Sequence, residues 1–228
     1  DAQKAAAFKE MGINTVESAS AAEAASEIIV FSVKPNIIDS VLSEMSGDKN
    51  KIYLSIAAGV TVAHLEEMLG ADKKIVRAMP NTPAQVGCGM TVISPNKNVD
   101  DEDIKKVKML LSAVGMVQQM DEKFMSVATA LHGSSPAYVY MFIDAMADAG
   151  VKYGLTKQQA LTLAAQAVAG SAEMVLSCGE HPEKLKDNVC SPGGTTIAAV
   201  CDLEKNGFRG IVQSAVCACV AKADEMSK

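Results

Sequence analysis

The sequence contains no tryptophan, and aromatic residues make up only 4% of it. Its apolar content, 49% of residues, therefore comes from small and aliphatic side chains, alanine above all. That favours closely packed helices and argues against a sandwich of bulky strands. No basic run relieves a formal charge of −6, which sets aside a nucleic-acid partner. The six cysteines form no C-x-x-C pair and have no histidine nearby at zinc spacing, so they are expected to be reduced, mostly buried small residues with no metal site among them. No apolar run reads as long enough to span a bilayer, and Asp1 to Gly12 lacks the apolar core of a signal peptide. No membrane association and a cytoplasmic location are expected. Also missing is any G-x-G-x-x-G segment, the turn that brings a dinucleotide's pyrophosphate against a helix N-terminus.

What is present suggests two halves. A chain of 228 residues can bury the core of one large domain or two small ones. Up to about Met120 helices and strands alternate. Helices are expected at Ala2 to Met11, Ala21 to Ala25, Asn36 to Met45, Val62 to Leu69 and Asp101 to Leu111. Strands are expected at Asn14 to Val16, Ile28 to Val33, Ile52 to Ile56, Ile75 to Met79, Met90 to Ser94 and Met116 to Gln119. The run Ile28 to Val33 reads as a parallel strand covered on both faces. Such alternation indicates a doubly wound α/β domain over 1–120, with ligands beyond the carboxyl ends of its strands. From 121 to 228 only helical patterns follow: Glu122 to Leu131, Pro136 to Tyr153, Lys157 to Leu176, Pro182 to Val189, Thr196 to Lys205 and Phe208 to Met226. Thr156 is placed to cap the third of these, after the stop at Gly154. That third helix has a broad apolar face, wider than a small domain needs.

The most informative segment is Leu185 to Arg209. Ser191-Pro192-Gly193-Gly194 cannot continue a helix, since proline lacks the amide donor and paired glycines are flexible. Thr195 or Thr196 can then cap a new helix that ends at Asn206-Gly207. The free amides at such a helix start suit a carboxylate or phosphate. A plain helix-to-helix turn explains the same spacing, and the spacing alone leaves both readings open.

The segment resembles the D-N-V-x-S-P-G-G-x-T signature of pyrroline-5-carboxylate reductases, including a helix ending near G-F-R. Phe31-Ser32-Val33-Lys34-Pro35, Ser55-Ile56-Ala57-Ala58-Gly59-Val60-Thr61, Arg77-Ala78-Met79-Pro80-Asn81-Thr82-Pro83 and Ala130-Leu131-His132-Gly133-Ser134-Ser135-Pro136-Ala137-Tyr138 resemble the family's other landmarks in their usual order. The resemblance implies a Rossmann-like cofactor domain, incomplete at its start, followed by an all-α dimerisation domain. It enters only after the family's first strand, glycine turn, first helix and second strand. Residues 1–228 are thus expected to begin partway through a longer protein and, taken alone, not to hold a nicotinamide cofactor tightly. The resemblance further implies NADPH or NADH as cofactor, an imino acid as substrate, a role in proline biosynthesis, and a homo-oligomer with the dimer as minimal unit and a decamer as a larger form. A helix buried inside a monomer is the alternative explanation of the broad apolar face.

Reduction of a pyrroline ring delivers a hydride to the imine carbon while the nitrogen ends protonated. The protein must fix the carboxylate and hold a hydrogen-bonding group near the ring nitrogen. Carried over from the family, the substrate positions are Glu122, Asn188, Val189, Ser191, Gly193, Gly194, Thr195 and Thr196. The backbone amides of Ser191, Gly194 and Thr195 are expected at the carboxylate and the Thr196 hydroxyl at the nitrogen, as the catalytic group. A threonine is too weak an acid to be the proton source by itself, so the imine arrives protonated or a water relays the proton. The cofactor positions are Ser32, Val33, Lys34, Pro35, Ile56, Ala57, Ala58, Asn81 and Asn188. Asn188 is equally explained as closing a short helix, and Glu122 as a solvated first-turn glutamate. Pro35 suits the first residue of a helix. His132 stands where the family commonly has a small residue, and no role is expected of His64, His132 or His181. Two other classes remain open: a dehydrogenase acting on 3-hydroxy acids, for which Lys123 lacks the expected surroundings, and a non-catalytic dimerisation and small-acid-binding module.

Overall fold

The computed structural model describes residues 2–226. They form two compact units, one running to Gly133 and taking in the stretch from Val220, the other Ser134–Cys219. In the first unit helices α1 (Ala2–Glu10) and α2 (Ala19–Ala25) precede strand β1 (Ile28–Phe31). The strand expected at Asn14 to Val16 is absent: the segment is irregular, Val16 is half exposed, and Ser18 already accepts the Ala21 amide to start α2. The expected helix Asn36 to Met45 shrinks to a 3₁₀ turn at Pro35–Ile37 and a short α3 (Ile38–Leu42). Then come β2 (Ile52–Ser55), α4 (Val62–Leu69), β3 (Lys74–Met79), β4 (Gly89–Pro95), α5 (Asp101–Ser112) and β5 (Gly115–Gln119).

The sheet is mixed, in order β1-β2-β3-β4-β5. Helical crossovers make β1/β2, β2/β3 and β4/β5 parallel. Only a 3₁₀ turn at Thr82–Val86 joins β3 to β4, too short for a parallel crossover, and that pair is antiparallel. One core layer unites Phe31, Ile38, Leu42, Tyr53, Leu65 and Ile75; the other unites Ile52, Leu54, Val76, Ile93 and Val107. Strand β2 is buried at every position, as expected of a strand covered on both faces. Strand β1 departs from that expectation, since Val30 is 43% exposed. The doubly wound, Rossmann-like character of this part otherwise stands.

The helix expected over Glu122 to Leu131 is broken into a 3₁₀ turn at Glu122–Phe124, α6 (Met125–Ala128) and a π turn at Thr129–Gly133. The remaining helices are α7 (Ser135–Lys152), α8 (Lys157–Cys178), α9 (Pro182–Val189), α10 (Thr195–Lys205) and α11 (Phe208–Met226). Thr156 forms the expected cap of α8, a capping box with Gln159. Helices α7 and α8 approach through small residues: a Cβ on Gly150 would lie 3.0 Å from the Ala160 Cβ.

Helix α8 corrects two sequence-based expectations. Among its described residues only Ala160 and Ala164 are buried, while Leu163, Met174, Val175 and Leu176 are exposed, so its apolar face is not buried within the chain. It is also long and apolar enough, by length and composition, to cross a membrane, with a mean hydropathy of 1.3; its many alanines raise that mean without a run of bulky residues. The cysteines differ from expectation too: all six are free, but Cys88, Cys178, Cys201 and Cys217 are exposed and Cys190 and Cys219 only partly covered. Four of the five cysteines after Cys88 lie on α8, α10 and α11.

Candidate functional site

In the second unit, α9 starts at Pro182 with His181 Nδ1 accepting the Glu183 amide at 3.2 Å. It ends where Cys190 leaves the helical region and its amide reaches Asp187 O. Gly193 then adopts φ +67, a conformation suited to glycine. A Cβ on Gly194 would collide with the Ser191 hydroxyl and lie 3.1 Å from its carbonyl. The loop folds tightly on itself, Gly194 N donating to Ser191 O at 3.0 Å.

Two expectations change here. The N-cap of α10 is Gly194, without a side-chain cap, and Thr195 and Thr196 are the first helical residues. The Gly194 amide, expected at a carboxylate, is engaged inside the turn. The amides of Thr195, Thr196 and Ile197 precede the first intrahelical bond, which Ala198 makes to Gly194 O, and so face outward with the positive end of the helix dipole. No side chain competes for them as a cap. Asn188, Val189, Ser191, Gly193, Thr195 and Thr196 are all exposed around this start and Gly194 is half-buried. The uncapped amides at the start of this 11-residue helix have the chemistry to accept a small anion.

The α9–α10 segment is closed at its far end by charge. Arg209, in the first turn of α11, donates from Nε to Glu204 at 2.6 Å and from Nη2 to Glu183 at 2.8 Å. Lys186 holds the other Glu183 oxygen at 2.7 Å. Lys186 and Arg209 hold the Glu183 carboxyl at about 2. Glu204 and Glu183 in turn push the guanidinium above its ordinary value. The sequence reading missed this network, although Arg209 lay in the G-F-R it quoted.

In the first unit, Ser32 to Pro35 follow β1, Ile56 to Ala58 follow β2 and Asn81 follows β3. Since these strands are parallel neighbours, the three loops emerge side by side at the carboxyl edge of the sheet, where dinucleotides bind in such folds. Ser32, Lys34 and Pro35 are exposed. Val33 packs against the core and Ala57 is buried, so these two offer only backbone. A cavity of about 350 Å³ is lined by Pro35, Ala58, Gly59, Thr61 and His64 among others. Asn81 does not present its side chain: Nδ2 donates to His132 O at 3.0 Å and Oδ1 accepts from Met90 N at 2.8 Å. It ties the turn after β3 to the π turn. Both His132 ring nitrogens are buried without a hydrogen-bond partner, and that burial pushes the imidazole below its ordinary pKa.

Glu122 is engaged as well. Its Oε1 accepts the Val62 amide at 2.9 Å and Arg77 Nη1 at 2.8 Å, with Arg77 only 8% exposed. It is thus no solvated first-turn glutamate; it joins β3, the start of α4 and the 3₁₀ turn after β5. The one charge inside the apolar strand sequence Ile75-Val76-Arg77-Ala78-Met79 was a legible sign that a buried acid would be needed.

Residues 122–226 match the family described as pyrroline-5-carboxylate reductase dimerisation, and residues 1–59 match NADP oxidoreductase, coenzyme F420-dependent. The pyrroline-5-carboxylate reductase of Escherichia coli (strain K12) is 50% identical over 226 residues, covering 98% of this chain and 84% of that protein. Among solved structures, the Plasmodium falciparum pyrroline carboxylate reductase with NADP bound is 40% identical with a TM-score of 0.86, covering 95% of this chain and 83% of that one. A pyrroline-5-carboxylate reductase from Coxiella burnetii reaches a TM-score of 0.90 at 35% identity, covering 96% and 83%.

Proposed function

The chain belongs to the pyrroline-5-carboxylate reductase family, and from there we propose how its own residues take up 1-pyrroline-5-carboxylate and turn it into L-proline, the last step of proline biosynthesis. It is an NAD(P)H-dependent oxidoreductase acting on a CH–NH group, and it oligomerises through a dimerisation region. The observation that carries the reading is the uncapped start of α10, where the amides of Thr195, Thr196 and Ile197 have neither an intrahelical partner nor a side-chain competitor.

The substrate carboxylate sits on these amides with that of Ser191, the glycines at 193 and 194 leaving room for its approach. Asn188 and Val189, in the last turn of α9, border the same loop. The Thr196 hydroxyl addresses the ring nitrogen, donating to the neutral imine or accepting from the protonated one. As the imine carbon is reduced, the electron pair of the C=N bond passes to nitrogen, whose proton comes with the substrate or through a water. Glu122 acts from a distance, by fixing the Arg77 and Val62 positions.

The loops at the carboxyl edge of β1, β2 and β3 fit a nicotinamide cofactor: Ser32, Lys34 and Pro35 are exposed, Ile56 and Ala58 border them, and the cavity beside Pro35 and Ala58 is open. Bound there, NADPH or NADH supplies the hydride. Ser32 to Pro35 and Ile56 to Ala58 would hold it through backbone groups and the Ser32 and Lys34 side chains, with the Asn81 turn at its nicotinamide end. The division of labour is cofactor binding by 1–120 and substrate binding with dimerisation by 121–228. A second copy covers the open faces of α7, α8 and α11, which present Tyr140, Met141, Leu163, Leu176 and Ile211, and this occupant rather than a lipid bilayer accounts for the apolar length of α8. The dimer is the minimal unit, with a decamer as its larger assembly. Six free cysteines suit the reducing cytoplasm.

The test follows NADPH and NADH absorbance with 1-pyrroline-5-carboxylate, using the protein expressed together with any natural sequence flanking 1–228. Stoichiometric appearance of L-proline supports the reading. A folded protein that consumes no NAD(P)H with this substrate, or that oxidises 3-hydroxy acids instead, contradicts it.

A further inference from the structure

Within a single chain the anion loop has little to hold it. Among the described residues, the hydrogen bonds of 190–194 are all local: Cys190 N to Asp187 O, Gly194 N to Ser191 O, and Ala198 N to Gly194 O. Neither α9 nor α10 contains a buried residue, so apolar packing within the chain does not fix the two helices that carry the loop. The direction of the loop amides is therefore inherited from how α9 and α10 are held to each other.

Arg209 bridges them. Arg209 reaches Glu183, in the first turn of α9, and Glu204, in the last turn of α10. These residues lie at the ends of the two helices away from the loop, so the guanidinium closes the open end of a hairpin whose closed end is Cys190 to Gly194. Arg209 is itself placed by Gly207, whose φ of +74 ends α10 and whose carbonyl accepts the Ile211 amide as α11 begins. Lys186 and its contacts to Glu183 and Asp187 hold the Glu183 carboxylate toward Arg209. Isolated exposed ion pairs contribute little to stability, so the value of this network is geometric. A planar guanidinium fixes the orientation as well as the spacing of two carboxylates, whereas an ammonium on a flexible stem can bridge two acids without setting their direction.

We propose that Arg209 is a positioning residue for the substrate: by bridging Glu183 and Glu204 it sets the α9–α10 hairpin and thereby aims the amides at the start of α10. This rests on the reading of that loop as the carboxylate receptor. Loss of the bridge lets the hairpin ends move apart and scatters the loop amides while leaving the cofactor loops of the first unit untouched.

The experiment compares Arg209→Ala, Arg209→Lys and Glu183→Gln with the wild-type enzyme in steady-state kinetics and in amide hydrogen exchange over 190–197. In Arg209→Ala, kcat/KM for the imino acid is expected to fall about tenfold or more, as small misplacements of substrate-holding groups do. The KM for NADPH should stay unchanged, and exchange at Thr195 to Ile197 should speed up. Arg209→Lys should recover only part of the loss, and Glu183→Gln should fall between. Unchanged kinetics and exchange in Arg209→Ala overturn the inference, as does a parallel rise of both KM values. If Arg209→Ala does not fold, Glu183→Gln and Arg209→Lys decide it by the same readouts. A wild-type enzyme without turnover counts against the proposed reaction itself, and the exchange data still report on the clamp.

Discussion

The guanidinium of Arg77 and the carboxylate of Glu122 meet at 2.8 Å, and the same carboxylate oxygen accepts the Val62 amide. A cation in the middle of a sheet strand is thereby neutralised by an acid from the turn that follows the sheet, and the same acid anchors the N-terminus of α4. Breaking such a pair leaves a buried charge without its partner. Glu122→Ala is expected to cost about 2–3 kcal/mol, below the range for fully buried pairs because the Glu122 side chain is 32% exposed. Denaturant midpoints measure it. The KM for the imino acid should move less than stability does; a large KM rise at unchanged stability would instead put Glu122 in contact with substrate.

Glu23 anchors the other side of the sheet. Burial alone would raise its carboxyl; the Tyr53 hydroxyl and the amides and hydroxyl of Ser46 and Asp48 more than offset this and hold it at about 2. Burial, then the Glu23 carboxylate, push the Tyr53 phenol upward in turn. Because the folded-state value lies below the ordinary 4.5, the contribution is complete above about pH 4.5 and fades as pH falls toward 2. It amounts to about 3 kcal/mol. Glu23→Gln should remove much of it at pH 7 and flatten the stability profile between pH 4.5 and 2, as read by urea unfolding at stepped pH.

On the proposed reading the Thr196 hydroxyl addresses the ring nitrogen. Thr196→Ala is expected to lower kcat for the imino acid by about 10–100-fold, the order of one lost hydrogen bond in an organised site. Thr196→Ser should retain most of the rate. Circular dichroism should show the fold intact, since Thr196 is exposed and caps nothing.

The open face of α8 is proposed to be covered by a second copy. Leu163 is 63% and Leu176 66% exposed in the single chain, and apolar areas of this kind mark interfaces. Leu163→Asp with Leu176→Asp should shift sedimentation toward the monomer and lower activity in proportion. A wild-type protein that is monomeric at micromolar concentration would contradict the assignment of this face.

How far the sequence could be read depended on where each signal resides. Helix α4 and helix α9 were legible to the residue, because Thr61 and Pro182 mark their starts and the apolar spacing their bodies. The glycines of 193 and 194 announced the loop between α9 and α10, since a φ of +67 at 193 favours glycine and a Cβ at 194 would collide with Ser191. What pairwise geometry decides was not legible. The antiparallel β3/β4 pairing depends on the length of the chain between them, and the engagement of the Gly194 amide on a turn only the fold reveals. Asn81 read as a cofactor contact, yet its side chain is taken by Met90 and His132, 9 and 51 residues further along the chain. The cysteines read as buried because apolar helices usually bury them within one chain; here those helices keep their outer faces open.

The central claim is that the start of α10 reads the substrate's carboxylate. The most direct measurement compares 1-pyrroline-5-carboxylate with 1-pyrroline, which has the same imine and no carboxylate, under saturating NADPH. The account expects kcat/KM for 1-pyrroline to be lower by about 100-fold or more, since the site's free amides are then left without a partner. Equal kcat/KM for the two imines would contradict it.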